Sequence, residues 1–307
     1  MNFQNMTKKI VLLLLLISLF YVSIQADVLS FKSGQKATYT ITQNLDAEIA
    51  VFNETMHCRS EAAIDVDIEI LSSNLQTSSY PIDVKITLKR VLFSEVQQEG
   101  QITKQIIYDS NSKDLMTVEN HLLAEYYENV INHPLYYSVD KDFKIVETVG
   151  YITQIHESFD SPDYMGLFGA TPWSYELFLT QLFHLAGENL QVRKSYPTSC
   201  YQFLNWEQAS LDEEQIGLYQ VSDYTVDSMD SKSISASWLG NAKVIDYQLF
   251  KEGGGDVCVA GHVIWDTTNP LIQTRTLKVD WESTTNGFIK TTKKMSMEQT
   301  WQPFSRI

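Results

Sequence analysis

Apolar and polar residues alternate along most of this chain, a pattern typical of antiparallel β-strands that bury one face. The alternation is clearest over residues 61–71 and 81–93. The positions predicted to point inward there are Ala62, Ile64, Val66, Ile68, Ile70, Ile82, Val84, Ile86 and Leu88. Antiparallel pairing of the two segments places Glu69 opposite Lys85 and Asp65 opposite Lys89. Such cross-strand ion pairs help to fix the register of a sheet.

Residues 133–152 read as a β-hairpin. Leu135, Tyr137 and Val139 share one apolar face, and the polar residues 140–142 form the turn before a second alternating strand. One face of this hairpin is therefore apolar and the other polar. The apolar face is predicted to cover the interior of the protein.

Strand-like alternation then fills most of the chain from residue 199 to residue 301. The predicted strands lie near residues 200–209, 216–226, 233–239, 242–250, 256–267, 271–282 and 287–300. Short turns, among them Leu239-Gly240 and Asn286-Gly287, separate many of them, and Asn-Gly is a strong hairpin signal. Consecutive strands joined in this way predict an antiparallel meander.

Two segments have helical periodicity instead. Residues 113–132 carry an apolar stripe that ends at Asn132, formed by Leu115, Val118, Leu122, Tyr126 and Val130. In residues 171–189, Thr171 and Pro172 suit the start of a helix and Gly187 suits its end. The residues between them are apolar on nearly all sides. Such a helix is buried or faces something apolar.

These elements predict an α+β fold that is mostly β, in a single domain over residues 27–307. The expected architecture is a curved antiparallel sheet, an unclosed barrel, with a few helices on its concave side. Residues 1–26 are predicted to be a signal peptide. A basic start precedes an apolar run of 13 residues, too short for a membrane span of about 20, and Ala26 suits the cleavage site. We therefore expect an exported monomer, periplasmic or secreted, and not an integral membrane protein.

Charge and motifs restrict the function further. The formal net charge of −15 argues against nucleic acids and anionic membranes as partners, because both are bound by Lys and Arg patches. The sequence has no G-x-S-x-G elbow, no P-loop and no pair of histidines at zinc-ligand spacing on one helix. The acidic row over residues 61–69 is interpreted as a solvated face, since alternate strand residues about 7 Å apart are too distant for one calcium ion. We expect no catalytic residues, metal or cofactor, and thus no enzyme.

Cysteines and tryptophans leave alternatives open. Cys58, Cys200 and Cys258 permit one disulfide in an oxidising compartment, and all three pairings are open. Cys200 with Cys258 is preferred because both lie on predicted strands of the C-terminal half, although buried free thiols are the alternative. The tryptophans on predicted strands are interpreted as core residues, with carbohydrate stacking as the other reading. They are Trp206, Trp238, Trp265, Trp281 and Trp301.

The apolar helix and the loop before it form the candidate ligand site. We expect them to cover an apolar cavity lined by the inner face of the sheet, whereas ordinary burial of the helix is the alternative. The predicted ligand-binding residues are Tyr164, Leu167, Phe168, Trp173, Phe178, Leu182 and Phe183.

The start of the predicted mature chain has the pattern F-x-x-G-x-x-x-x-Y-x-I, formed by Phe31, Gly34, Tyr39 and Ile41. With the predicted signal peptide and the long strands, it resembles exported bacterial β-rich proteins of unknown function. The overall plan distantly resembles the lipoprotein-carrier superfamily of the LolA, LppX and RseB type. That resemblance implies an unclosed barrel with lid helices that holds acyl chains or senses exported proteins. It assigns no functional residue in this chain.

Three functions follow as hypotheses. The first is a non-enzymatic exported protein that binds an apolar ligand, either a lipid or the acyl chain of a lipidated protein. The second is a structural or protein-interaction component of the cell envelope with no small ligand. The third is a hydrolase without a recognisable motif.

Overall fold

β-Strands dominate the structure. The computed structural model describes residues 29–51, 54–73, 82–112, 124, 127–128, 130–140, 145–149, 175–183, 185–203, 216–246, 251–252, 256–286 and 290–304. The strands are β1 Lys36–Val51, β2 Glu54–Ser73, β3 Ile82–Glu99, β4 Ile102–Asp109, β5 Leu135–Val139, β6 Ile145–Val149, β7 Ser195–Phe203, β8 Ile216–Met229, β9 Ser233–Asp246, β10 Lys251–Glu252, β11 Asp256–Asp266, β12 Gln273–Asn286 and β13 Lys290–Pro303. Tyr175–Phe183 form a helix, α1.

All strands join one antiparallel sheet. Its order is β6-β5-β3-β2-β1-β13-β12-β11-β9-β8-β7, with β4 beside β3 and β10 beside β9. The sheet is open, because β6 and β7 lie at opposite ends of this order. Two meanders thus run outward from the central pair of β1 and β13. The predicted fold class, mostly β with an unclosed antiparallel sheet and few helices, is confirmed.

Strand alternation separates an apolar and a polar face. We call the buried face the inner face and the opposite one the outer face. On the inner face, side chains of the central strands and of the strands towards both ends of the sheet are almost completely buried. Examples are Tyr39, Ile64, Val66, Ile86, Val91, Leu135, Tyr137, Val139, Val226, Trp238, Val263, Trp265 and Trp301. The predicted hairpin is confirmed by β5 and β6, and the buried side chains of β5 belong to this face.

The predicted pairing of β2 with β3 is right in one place and wrong in another. Glu69 faces Lys85, and their side chains are 3.3 Å apart. Asp65, however, faces Arg90 and not Lys89, because a β-bulge inserts Lys89 as an extra residue. The bulge also explains why the inward positions of β3 change from even to odd numbers after Leu88.

The turns of the second meander differ from prediction at Leu239-Gly240. No turn occurs there, because β9 continues as one strand from Ser233 to Asp246 and leaves the Leu239 side chain exposed on the outer face. Alternation continues through this dipeptide, so Gly240 occupies an inner position. β4, a strand not predicted from the sequence, follows β3 after a two-residue turn with Gly100 at a φ of 57°.

Both predicted helical regions are described in part. Asn132, the predicted stop of the first, has a left-handed φ of 62°, and Val130 and Tyr127 before it are buried. Leu115, Val118, Leu122 and Tyr126 lie outside the described residues. In the second, α1 ends at Phe183, and Gly187 lies four residues beyond it with a left-handed φ of 78°. Its N–H donates to the carbonyl of Leu29 and not to a carbonyl of the helix, so Gly187 is not the cap of α1. Among the residues described, no helix is long and apolar enough to cross a membrane.

Candidate functional site

The apolar helix α1 lies on the inner face at the centre of the sheet. Phe178 packs against Trp301 of β13 with ring centroids 4.9 Å apart, and against Tyr39 of β1 at 6.2 Å. Phe183 meets Phe31 edge-on at 4.9 Å. Leu179 and Leu182 are also fully buried. The helix therefore covers the junction of the two meanders with apolar side chains.

Three of the seven predicted ligand-binding residues fall in this contact. Phe178, Leu182 and Phe183 are buried between α1 and the sheet. The other four predicted positions, Tyr164, Leu167, Phe168 and Trp173, lie outside the described residues. Their part in a ligand site stays a prediction.

A charged side chain lies beneath the helix. Arg275 of β12 is completely buried on the inner face, in a row of apolar side chains that runs across the sheet. Its guanidinium carbon lies 5.1 Å from the ring centre of Trp238 and 5.1 Å from that of Trp301. Both distances are within the range of cation–π attraction, which is stronger in a desolvated site.

Polar contacts join Arg275 to the end of α1. Its Nη2 donates to the carbonyl of Gln181 at 2.5 Å and to Oε1 of Gln273 at 3.4 Å. Gln273 in turn donates from Nε2 to the carbonyl of Leu182 at 3.4 Å. Carbonyls of the last helical turn lack partners within the helix and carry partial negative charge, so a cation is favourable there.

Glycine makes room for one of the two tryptophans. Trp238 lies on β9 and Arg275 on β12, with β11 between them. The Trp238 ring crosses β11 at Gly261, where an added Cβ would lie 2.1 Å from Cζ2 of the indole. The absence of a side chain at position 261 therefore permits the contact between Trp238 and Arg275.

A buried hydroxyl lies in the same region. Tyr39 is completely buried, and in the described part of the chain its hydroxyl makes no hydrogen bond. Burial raises the pKa of Tyr39 well above its usual range, and nearby Gln273 and Arg275 lower it only in part. We call Arg275, Gln273, Tyr39, Trp238 and Trp301 the arginine site.

Arg275 and Gln273 are not among the site residues predicted from the sequence. A signal for them exists in the alternation of β12. Leu271, Leu277, Val279 and Trp281 are odd-numbered apolar positions of this segment, and Gln273 and Arg275 have the same parity. A cation at an inward position of a predicted strand is rare, because an isolated charge is costly to bury.

The outer face is a network of polar contacts. Asp65 and Asp67 accept hydrogen bonds from Thr40 and Thr38 at 2.7 and 2.6 Å. Glu69 lies between Lys36 and Lys85, and both amines lower the pKa of its carboxyl. These contacts agree with the interpretation of the acidic row as a solvated face. Across the described ranges, no three His, Cys, Asp or Glu side chains are grouped to hold a metal.

One group on the outer face has the residue types of a hydrolytic triad. Oγ of Ser235 lies 2.8 Å from Nε2 of His262, and Oδ2 of Asp227 lies 4.0 Å from that same nitrogen. A triad needs the serine and the carboxylate on different ring nitrogens, so that the carboxylate orients the base. This group does not have that geometry.

The cysteine pairing preferred from the sequence is not formed. Cys258 is an exposed free thiol. It lies on β11 and Cys200 on β7, so β9 and β8 separate them. Three strand spacings amount to about 14 Å, whereas a disulfide joins Cα atoms less than about 7 Å apart. Cys58 is buried, and burial together with nearby Glu95 raises its pKa to about 12.

Comparison with known proteins gives distant structural similarity alone. No family model matches the chain, and no curated protein matches it in sequence. A structure titled as lipid–protein interactions in lipovitellin is similar over 90% of this chain, with 6% identity and a TM-score of 0.46. This chain spans about a quarter of that protein, 26% of its length.

Two bacterial structures are more distant. OccK7 of Pseudomonas aeruginosa is similar over 88% of this chain and 99% of its own, with 6% identity and a TM-score of 0.26. The translocator domain of the autotransporter NalP from Neisseria meningitidis covers 90% and 91% of the two chains, with 7% identity and a TM-score of 0.23. None of the three is a lipoprotein carrier of the LolA type, so that resemblance stays a prediction. At these scores the similarities say nothing of what this chain binds.

Proposed function

We propose that this protein is a non-enzymatic, exported binding protein for an apolar ligand, such as a lipid or an acyl chain, held between the inner face and α1. One observation carries the proposal: a helix that is apolar on the side it presents covers an apolar sheet face at the junction of two meanders. In the structure this contact is closed, since the Phe178 ring meets Trp301 directly. Ligand therefore enters by displacing α1.

The nature of the contact supports such displacement. Phe178, Leu179, Leu182 and Phe183 are the buried apolar side chains in the described part of α1. Apolar contact is non-directional, so an acyl chain can take the place of these four side chains. The hydrogen bonds from Arg275 and Gln273 to the carbonyls of Gln181 and Leu182 must then be exchanged for others. The helix has nine residues, a length at which tertiary packing and not intrinsic propensity keeps it folded.

Extraction of the purified protein tests the proposal directly. The full chain is expressed with export, purified without detergent and extracted with organic solvent, and the extract is analysed by mass spectrometry against a denatured control. We expect about one lipid or acyl compound for each chain. An extract without such a compound, from protein that also fails to take up the neutral dye Nile red, would overturn the proposal.

A matched pair of leucine variants tests the role of α1. Leu182→Ala removes a fully buried contact of the helix, whereas Leu239→Ala truncates a side chain that is 67% exposed on the outer face. We expect Leu182→Ala to increase the rate of Nile red uptake several-fold, because weaker packing makes opening of α1 easier. Leu239→Ala should leave the rate unchanged. Equal rates of dye uptake in the two variants would show that ligand does not enter by displacing α1.

The second candidate function is a protein-interaction component with a fully packed interior. The close ring contacts beneath α1 favour this second function, because side chains in an ordinary protein core also pack in direct contact. It predicts a clean extract, no dye uptake, and a specific protein partner after crosslinking and affinity purification.

A further inference from the structure

The arginine site differs from the rest of the inner face in having a full positive charge. Arg275 is completely buried, and its row neighbours on β11 and β9 are Val263 and Ala236. Removing a guanidinium from water is costly, and apolar residues of similar volume usually serve a core as well or better. A lid over a purely apolar ligand needs no such group.

The groups around Arg275 suit an anion. A guanidinium presents its N–H donors in a planar fork that matches a carboxylate, and here two indole rings lie 5.1 Å from its central carbon. The buried Tyr39 hydroxyl, a donor without a partner in the described structure, lies close enough for Arg275 to influence its ionisation. Gln273 can donate a further hydrogen bond from Nε2.

One partner of Arg275 is a group that a carboxylate can replace. Nη2 donates to the backbone carbonyl of Gln181 in the last turn of α1. A carbonyl carries only partial charge, and hydrogen bonds to an ionised carboxylate are roughly twice as strong as neutral ones. The exchange leaves the guanidinium satisfied and gives the released end of α1 access to water. Arg275 thus contacts α1 in the closed structure and would contact the ligand after α1 has been displaced.

We propose that the ligand is an amphiphile with a single carboxylate head, such as a long-chain fatty acid, and that Arg275 binds the carboxylate in place of the Gln181 carbonyl, with Tyr39 and Gln273 beside it. This inference rests on the proposed function and adds the ligand class. It also explains how a chain of formal net charge −15 selects an anionic ligand, because the positive charge is buried and local.

Paired probes test the ligand class on the unmodified protein. The fluorescent fatty acid cis-parinaric acid and its methyl ester have the same chain and differ in head charge. We expect the wild-type protein to bind the acid at least about tenfold more tightly than the ester at pH 8, the usual size of a charge-assisted contact. Equal affinities would overturn the inference and leave the proposed function standing. Binding of neither probe would overturn both.

Variants then show which residues cause the preference for the acid over the ester. Arg275→Met keeps the apolar volume and should make the affinities for acid and ester equal, with ester binding retained. Arg275→Lys keeps the charge without the planar fork and should retain an intermediate preference. Tyr39→Phe should lower the affinity for the acid a few-fold and leave that for the ester unchanged. A full acid preference in Arg275→Met, in protein that melts cooperatively, would show that the carboxylate binds elsewhere.

Discussion

The two meanders bury the same face in different ways. In the first, the inner side chains of β2 and β3 are mainly aliphatic, with Ile64, Ile68, Ile82 and Ile86 almost inaccessible. In the second, large aromatic rings lie beside very small residues and one arginine. There Tyr224 stacks on Trp238 with ring centroids 4.7 Å apart, and that tryptophan crosses a glycine to reach Arg275.

This difference indicates that the two halves of one sheet have different roles. Aliphatic, mostly β-branched side chains fill a pleated surface without depending on any single neighbour, so we expect the first meander to contribute mainly stability. The second depends on particular pairs, since the position of Trp238 requires the absence of a side chain at residue 261. Changes in the first meander should therefore alter the free energy of unfolding, and changes in the second should also alter the arginine site.

The largest effect is expected in the aliphatic meander. Ile86→Ala removes a completely buried side chain that lies between β2 and β5, and should lower the free energy of unfolding by about 3 kcal/mol. The matched control is Ile107→Ala on β4, where the isoleucine is 54% exposed and the change should stay within about 0.5 kcal/mol. Urea titration followed by circular dichroism measures both. Similar losses in the two variants would refute the division into inner and outer faces.

The next effect belongs to the aromatic meander. In Gly261→Ala the added Cβ would lie 2.1 Å from the Trp238 ring and 2.5 Å from the Thr276 carbonyl oxygen, so both the ring and the backbone must shift. We expect a loss of about 2 kcal/mol in unfolding free energy and a changed near-ultraviolet circular dichroism spectrum. Combining it with Trp238→Ala should make the losses less than additive. Strict additivity would mean that ring and glycine are independent.

A smaller effect concerns the outer face. Arg90 and Asp109 form a two-point contact at 2.7 and 3.1 Å, which lowers the pKa of the Asp109 carboxyl. The pair is partly exposed, so Asp109→Asn should cost about 0.5–1 kcal/mol at pH 7.

This difference has a defined pH dependence. Because the folded-state pKa is lowered, the contribution is present above the unfolded value of about 3.9 and disappears as the pH falls through the folded value. Urea titrations at pH 7 and in more acidic buffers should show the wild-type and Asp109→Asn stabilities converging. Asp280→Asn serves as the control, because the contact of that carboxylate with Lys278 is longer, at 3.4 Å, and lies on a half-exposed surface. A loss that persists unchanged in acid would exclude the ion pair as its cause.

The smallest effect is expected at Tyr39. Tyr39→Phe removes a buried hydroxyl without a hydrogen-bond partner in the described structure, so the free energy of unfolding should stay equal or rise by up to about 1 kcal/mol. Thermal and urea unfolding measure this, with Tyr196→Phe as control. The Tyr196 hydroxyl donates to the Asn189 carbonyl and accepts from the Gln191 amide, so its removal should destabilise the protein.

Sequence alternation predicted the sheet well and the site poorly, for physical reasons. Period-two patterning identifies a buried face wherever most inner residues are aliphatic, as in β2 and β3. It does not show a bulge, because the extra Lys89 is itself polar, nor does it show that Leu239-Gly240 continues a strand. Arg275 and Gln273 look like ordinary polar residues until neighbouring strands bring Trp238, Trp301 and α1 around them. That convergence depends on tertiary structure.

The central pair of strands has a consequence for how the chain acquires its structure. Thr42 and Thr300 are hydrogen bonded across β1 and β13 although 258 positions separate them. Contacts between such remote segments slow folding, because the entropy of closing the loop is lost before the contact is gained. Until β13 has been synthesised, one edge of β1 has no partner and is open to pairing with another chain. We therefore expect the yield of refolded protein to fall steeply as the protein concentration rises. The stability of the native protein alone would not predict such a loss.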